Sequence, residues 1–498
     1  MKNIILSSAL GALFFLASCK KDEPVVIYAN PTVTAPATVT NVTVGQTAKV
    51  VFNVSFDSKL TATYAASGTN VSVTTAQGAV TGSTVEVSFS SAAEGAGAVR
   101  LVVTDSKGKT AEATAVISTA KVVTEVLVTS NITTNTTWTA NKVWILGGRI
   151  TVTSGATLTI EPGTIIKGEA GAGASATALL IARGAKINAA GTATKPIIFT
   201  SVADKLSMAD VAAGKFASPN LLPDVNGLWG GLIILGKAKI SASASGAQKT
   251  EVQIEGIPTS DPNGLYGGSD DTDNSGVLKF ISVRHGGTLI GSGNEINGIT
   301  FGGVGSGTVV ENIEVVGNQD DGIEWFGGTV NAKNVVIWGA GDDGLDTDQA
   351  FTGTITNFAI ISAGGSAFEL DGPEGTFGVD LNKGHTFDKG FVNMTGSAGH
   401  FIDNDANTQV SLKNIYATGF TATTQNITEV FTNPYTTTFG VKFENIKLNV
   451  TAANLWQYID KATAASTIPA SITAGTATYA DLTAFAGWSW TAIADKLK

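Results

Sequence analysis

From about Pro31 to Ala120 apolar and polar residues alternate with the two-residue period of a strand that has one buried face. Phe52, Val54 and Phe56 interleave with Asn53, Ser55 and Asp57, and Val85, Val87 and Phe89 with Glu86 and Ser88. Val99, Leu101 and Val103 run into the turn Asp105–Gly108, and a further strand covers Ala113–Ile117. This pattern predicts an immunoglobulin-like β-sandwich over residues 31–120, without the Cys and Trp hallmarks of antibody domains. Beyond Val123 the strands shorten and Gly and Pro punctuate them, as in Leu146–Gly168, and Leu179–Gly191 restates the theme. Short strands that recur with turn glycines at a period near 22 residues suit a right-handed parallel β-helix, in which each coil buries its apolar side chains on its neighbours. The expected helix covers residues 125–430. From 431 to 498 the period fades and Trp456, Trp488 and Trp490 appear, which predicts a cap over the open end.

Within the expected helix, the apolar anchors Ile323, Leu345, Phe368 and Ile402 align four segments and bring Glu324, Asp346, Glu369 and Asp403 into one column. A second column falls at Phe326, Asp348, Asp371 and Asp405. Both columns are expected on one wet outer face. Adjacent coils are about 4.8 Å apart, where two like charges repel by roughly 3–4 kcal/mol at an effective dielectric near 20. Such a ladder must take up cations or protons, or fan its side chains into solvent.

Composition narrows the class. In 498 residues, 58 glycines and only 14% charged residues mark an all-β chain rich in turns. A net charge of −10, with four arginines (Arg100, Arg149, Arg183 and Arg284), leaves no basic stripe to neutralise phosphates, so nucleic acid is excluded as a partner.

The one cysteine, Cys19, follows Lys2, the apolar run Ile4–Leu16 and the tetrapeptide Leu16-Ala17-Ser18-Cys19. This ending resembles a bacterial lipobox, which implies a signal peptide over 1–18 and lipid on Cys19 as the membrane anchor. Lys20-Lys21-Asp22-Glu23 resembles the tether of outer-membrane lipoproteins of Bacteroidota, which implies a tether over 19–30, the outer membrane and a surface-exposed position. Thr159–Gly168 (TIEPGTIIKG), Ala193–Ser201 (ATKPIIFTS), Gly227–Ile240 (GLWGGLIILGKAKI) and Asn274–Gly287 (NSGVLKFISVRHGG) resemble recurring segments of bacterial β-helix surface lipoproteins. The wider superfold includes pectate-lyase-like and polygalacturonase-like enzymes, and fold alone transfers no activity.

The carboxylate ladder, Glu324, Asp346, Asp348, Glu369, Asp371, Asp403 and Asp405, is the expected ligand-binding face. Calcium suits it, because that ion takes six to eight oxygens, and Asp346, Asp348 and Asp371 are its expected ligands. Catalysis by those three aspartates is the competing reading, since diagonal carboxylates fit the separation of about 6.5–9.5 Å found in inverting glycosidases. A merely solvated acidic face is the third. The catalytic reading resembles the three aspartates of polygalacturonases, but their Asn-Thr-Asp, Gly-His-Gly and Arg-x-Lys strands are absent, and His400 lies in Ala-Gly-His-Phe. For a lyase, Lys383 and Lys389 are the nearest bases in sequence, and neither lies in a motif. Asp321, Asp343, Ser366 and His400 form another column with the ingredients of a Ser-His-Asp arrangement, but no nucleophile elbow accompanies it. In Gly267–Gly276, Asp271, Asp273, Ser275 and Gly276 match the first positions of a calcium loop, with Ser282 where its closing Glu would stand. His285, His385 and His400 have no zinc spacing.

The sequence therefore predicts a lipid-anchored outer-membrane scaffold that binds or displays ligands without catalysis, glycans being the expected class and Ca2+ the expected ion. A polysaccharide-degrading enzyme and an accessory subunit of an outer-membrane uptake complex, with an outer-membrane receptor as its partner, are the alternatives.

Overall fold

The structure is a computed structural model and describes residues 25–244, 247–289, 296–374, 384–428, 440–462 and 468–498. The signal peptide, Cys19 and Lys383 lie outside the described residues. The chain divides into two compact units, 1–123 and 124–498. Among the described residues no helix is long and apolar enough to cross a membrane.

The first unit is a two-sheet sandwich. One sheet orders Thr32–Thr34, Thr47–Ser55, Thr84–Ser90 and Ser72–Val73, and the other Thr40–Thr43, Thr110–Ala120, Gly95–Asp105, Ala62–Thr69 and Gln77–Ala79. Phe52, Val87, Phe89, Val99, Leu101, Val103 and Ile117 fill the space between them. These are the apolar members of the alternating runs, so the period alone set which face is inside. Asp105 closes the expected turn by accepting from the backbone N–H groups of Lys107 and Lys109.

The second unit is a parallel β-helix. A 15-stranded sheet supplies two of its walls, and an eight-stranded sheet the third. The large sheet bends along a column of left-handed residues, Phe280, Asn312, Asn334, Asn357, Lys389, Asn414 and Asn445, with φ between 51° and 65°. Asparagine tolerates that conformation better than most residues, and here its amides also stack. Asn334 Nδ2 donates to Asn312 Oδ1 at 2.9 Å and Asn357 Nδ2 to Asn334 Oδ1 at 2.8 Å. The third wall runs in register through Ile299, Ile323, Leu345, Phe368 and Ile402, all buried in the lumen. Phe301, Trp325 and Phe351 stack in the same lumen at centroid separations of 5.8 and 5.5 Å.

Two features differ from the sequence expectation. Parallel stacking does not stop at residue 430: Val441–Leu448 and Ile472–Ala474 continue the large sheet. The expected cap over 431–498 is therefore partly helix, and its last stretch lies along a flank rather than across the end. Phe485, Trp488, Trp490 and Leu497 pack on Val316, Val336, Trp338, Ala359, Ile361 and Phe391. Those wall residues point outward, and a β-helix wall that is apolar on both faces has to be covered. The second feature is an insertion between Leu235 and Gly276 that folds over the third wall. Its Ile240, Ile254, Ile257 and Tyr266 pack on Leu180, Ile233, Leu235 and Phe326. Gly302 permits this, because a Cβ there would meet the Tyr266 ring at 2.9 Å.

Candidate carboxylate site

The two acidic columns form as the anchors require. Glu324, Asp346, Glu369 and Asp403 are successive strand partners on the third wall, and Phe326 pairs with Asp348. Asp371 and Asp405 continue the second column, their backbone N–H groups donating to Thr347 and Leu370 of the preceding coil. The intervening residue faces the lumen, where Thr347 Oγ1 meets His385 Nε2 at 3.1 Å. Burial pushes that imidazole down to about 3, which keeps it neutral.

The face is not uniformly wet, which corrects the expectation. Glu324 and Asp346 are each 7% exposed, whereas Asp348, Glu369, Asp371 and Asp403 are half-buried and Asp405 is exposed. Strand alternation gives the side of a sheet, but cannot tell that a distant insertion will cover part of that side. Glu374, three residues beyond Asp371, ties this region together: its carboxylate accepts from the backbone of Ser243 at 3.0 Å and from Gln349 Nε2 at 3.0 Å. Tyr266 OH in turn donates to Gln349 Oε1 at 2.8 Å.

Burial governs the proton affinity of these acids, with like charges adding to it. It pushes Asp348 up to about 8, with Glu374 the next cause. Glu369 rises to about 10, through burial and then a hydrogen bond with Asp343. Asp371 rises to about 6, through burial and then the charge of Asp405. Asp321, Glu324 and Asp346 are pushed well above the usual carboxylate range, again first by burial and then by one another and by Asp320. Among the described residues no lysine or arginine forms an ion pair with any of these groups.

The structure draws Asp321 into the wall, and the sequence had placed it elsewhere. The column Asp321, Asp343, Ser366 and His400 is a turn ladder: Asp343 N–H donates to Asp321 Oδ1 at 2.9 Å, Ser366 N–H to Asp343 Oδ1, and His400 N–H to Ser366 Oγ at 3.1 Å. Each side chain caps the next coil, and none is arranged as a nucleophile and base. Oxygens of Asp321, Glu324 and Asp346 all lie within 4.8 Å of one another, and Asp320, Asp321 and Asp342 form a second such group. The repeated Asp-Asp-Gly at Asp320 and Asp342 carried the signal for both.

The loop with Asp271, Asp273 and Ser275 is engaged by protein groups. Asp271 pairs with Lys239 Nζ at 3.3 Å and accepts from its backbone N–H at 3.1 Å, and Ser275 Oγ donates to the buried Asp273 at 3.2 Å. Lys389 belongs to the bend of the large sheet, not to the acidic wall. His285 Nδ1 is held by the Val225 carbonyl at 2.6 Å and His400 Nδ1 by Asn426 Oδ1 at 2.7 Å.

No curated protein matches the sequence. A solved structure, the solution NMR structure of a lipoprotein from Bacteroides thetaiotaomicron, aligns with 20% of this chain and 85% of its own at 15% identity, with a TM-score of 0.16, too slight a likeness to carry an argument. The family model described as a pectate-lyase-like β-helix domain matches residues 130–492. Together with the coil stacking, that match means that the chain belongs to the pectate-lyase-like β-helix domain family.

Proposed function

We propose that the protein is a lipid-anchored, polysaccharide-binding scaffold of the outer membrane, held through Cys19 and facing the cell exterior. The open end of the acidic wall is the binding surface, through Asp348, Glu369, Asp371, Asp403 and Asp405. One observation carries this reading: Asp348, Glu369, Asp371 and Asp403 stand half-buried in two adjacent columns beside the exposed Asp405, where burial and like charge raise the proton affinity of Asp371 to about 6, of Asp348 to about 8 and of Glu369 to about 10. At neutral pH such a row offers hydroxyl donors and carboxylate acceptors together, which is what the paired hydroxyls of a neutral sugar require. A polyuronate would meet like charge there.

The spread of proton affinities also supports a second reading. Asp348 as acid and Asp371 as base form the unequal pair that glycoside hydrolysis uses. One experiment addresses both. The purified chain is incubated with insoluble neutral polysaccharides and with polygalacturonate, and retention and new reducing ends are measured. Retention on a neutral polysaccharide without new reducing ends, weakened about tenfold by Asp371→Ala (1.4 kcal/mol), is the expected outcome. New reducing ends lost in Asp348→Asn would establish the enzyme instead, and retention on none of the panel would sink both.

A further inference from the structure

Beneath the insertion, the covered end of the wall holds a group of acids distinct from its open end. Asp321 comes from the turn before the strand Ile323–Phe326, Glu324 from that strand, and Asp346 from the coil above. All three are more than nine-tenths buried, at 6%, 7% and 7% exposure. Two oxygens here are orphaned. Asp346 Oδ1 is buried without a hydrogen bond, and so is Oδ1 of Asn297, a residue 3% exposed on the coil below. The Asn297 amide already touches the group, since its Nδ2 donates to Glu324 Oε2. That Nδ2 also donates to Thr300 Oγ1 at 3.4 Å, and a half-turn of the amide gives up both bonds to present its oxygen to the carboxylates. An unmet buried polar atom is costly, and one on a carboxylate flanked by two further acids indicates a missing positive partner.

We propose that Asp321, Glu324 and Asp346, joined by the Asn297 amide oxygen, bind one divalent cation of the calcium type. Oxygens held at about 2.3–2.6 Å from one ion lie at most about 5 Å apart, and the three carboxylates lie within 4.8 Å of one another. The donors are all hard oxygens, with no imidazole or thiolate, which disfavours zinc. Mg2+ parts with its water reluctantly and suits a dry pocket poorly. The outer group of Asp320, half-buried, and Asp342, exposed, shares Asp321 and gives the ion a route from solvent. These ligands differ from the Asp346, Asp348 and Asp371 set that the sequence pattern favours: Asp348 and Asp371 stay with the open end. The site does not depend on the glycan reading.

The test contains no sugar. The full chain, purified in detergent, is dialysed against calcium or chelator, and bound calcium and the Tm are measured. One calcium per chain and a Tm rise of about 5 °C at millimolar calcium are expected. Asp346→Asn and Glu324→Gln should each lose the bound ion and the rise, while both keep the parent's Tm in chelator, and Asp405→Asn should keep ion and rise. No bound calcium in the parent, or binding that survives both node substitutions, would overturn the site. Calcium binding in a chain that retains no polysaccharide would overturn only the proposed function.

Discussion

Among the described residues of the β-helix, two of the groups of buried charge are built on opposite principles. Arg284 and Glu314 sit under the C-terminal segment, both fully buried, with Nη2 and Oε2 3.7 Å apart. Ser282 Oγ accepts from Arg284 Nε at 2.8 Å and donates to Glu314 Oε2 at 2.6 Å. Thr491 donates twice to Glu314 Oε1, each at 2.8 Å, and the Trp490 ring lies 5.1 Å from the guanidinium. That group contains its own counter-charge. The Asp321–Glu324–Asp346 group contains three acids and no cation. The difference teaches that burial alone does not separate a structural charge from a functional one; the presence of a built-in partner does. The first group is neutralised by the chain itself, although Arg284 Nη2 has no hydrogen bond beyond its ion pair, whereas the second is completed by protons or by an ion from outside.

The largest expected effect comes from removing that built-in partner. Glu314→Ala leaves Arg284 charged and buried without its carboxylate and unclips Thr491, so it should cost about 3–5 kcal/mol. Denaturant unfolding followed by tryptophan fluorescence reads this, since Trp488 and Trp490 pack in the segment released. A loss under about 1 kcal/mol would break the comparison, because the pair would then be as expendable as a surface pair.

The contrast between the groups was only half legible in the sequence. The anchors Ile323, Leu345, Phe368 and Ile402 fixed the register, because a slip of one residue would have turned every acid into the lumen. Strand partners then followed, Glu324 beside Asp346 and Asp346 beside Glu369. The depth of each acid was not legible. For the buried Asp321, Glu324 and Asp346 it depends on Ile240, Ile254 and Tyr266, which lie 55 to 106 residues earlier and carry no period of their own. Asp321 was visible as a column member but read as triad-like, since stacking places a capping side chain and a catalytic one at the same spacing. The Arg284–Glu314 pair was invisible for a similar reason: its closing residue, Thr491, is 177 positions from Glu314.

A smaller effect separates the groups by pH. Asp371 and Asp348 are raised in the folded protein to about 6 and about 8, against about 3.9 when unfolded. These two acids therefore bind more protons in the folded state than in the unfolded state across this range, and their contribution falls as pH rises; His385, buried neutral, opposes them only up to the unfolded imidazole's range near 6.5. The contribution is fully present below about pH 4 and is lost in turn through about 6 and about 8. In chelator, Tm should drop by several degrees between pH 5 and pH 8. A flat or rising profile would mean that these acids are already ionised at pH 5 and compensated from within.

The smallest effect lies on the solvent face of the β-helix, on a wall where charges also stack. Lys279, Glu311 and Lys333 are successive strand partners, and Lys279 Nζ is 3.0 Å from Glu311 Oε2 with both side chains more than a third exposed. This pair is closer than Arg284 and Glu314, so distance alone would rank it the stronger. Exposure reverses the order, because water already solvates both ends and salt screens them. Glu311→Gln should cost no more than about 0.5 kcal/mol in urea unfolding, and raising the salt concentration should reduce that further. The two lysines left on either side are two strand spacings apart, roughly 9.6 Å, where their repulsion in water is well under 1 kcal/mol. A cost near that of Glu314→Ala would show that stacking, rather than burial, sets the strength of charge pairs in this fold.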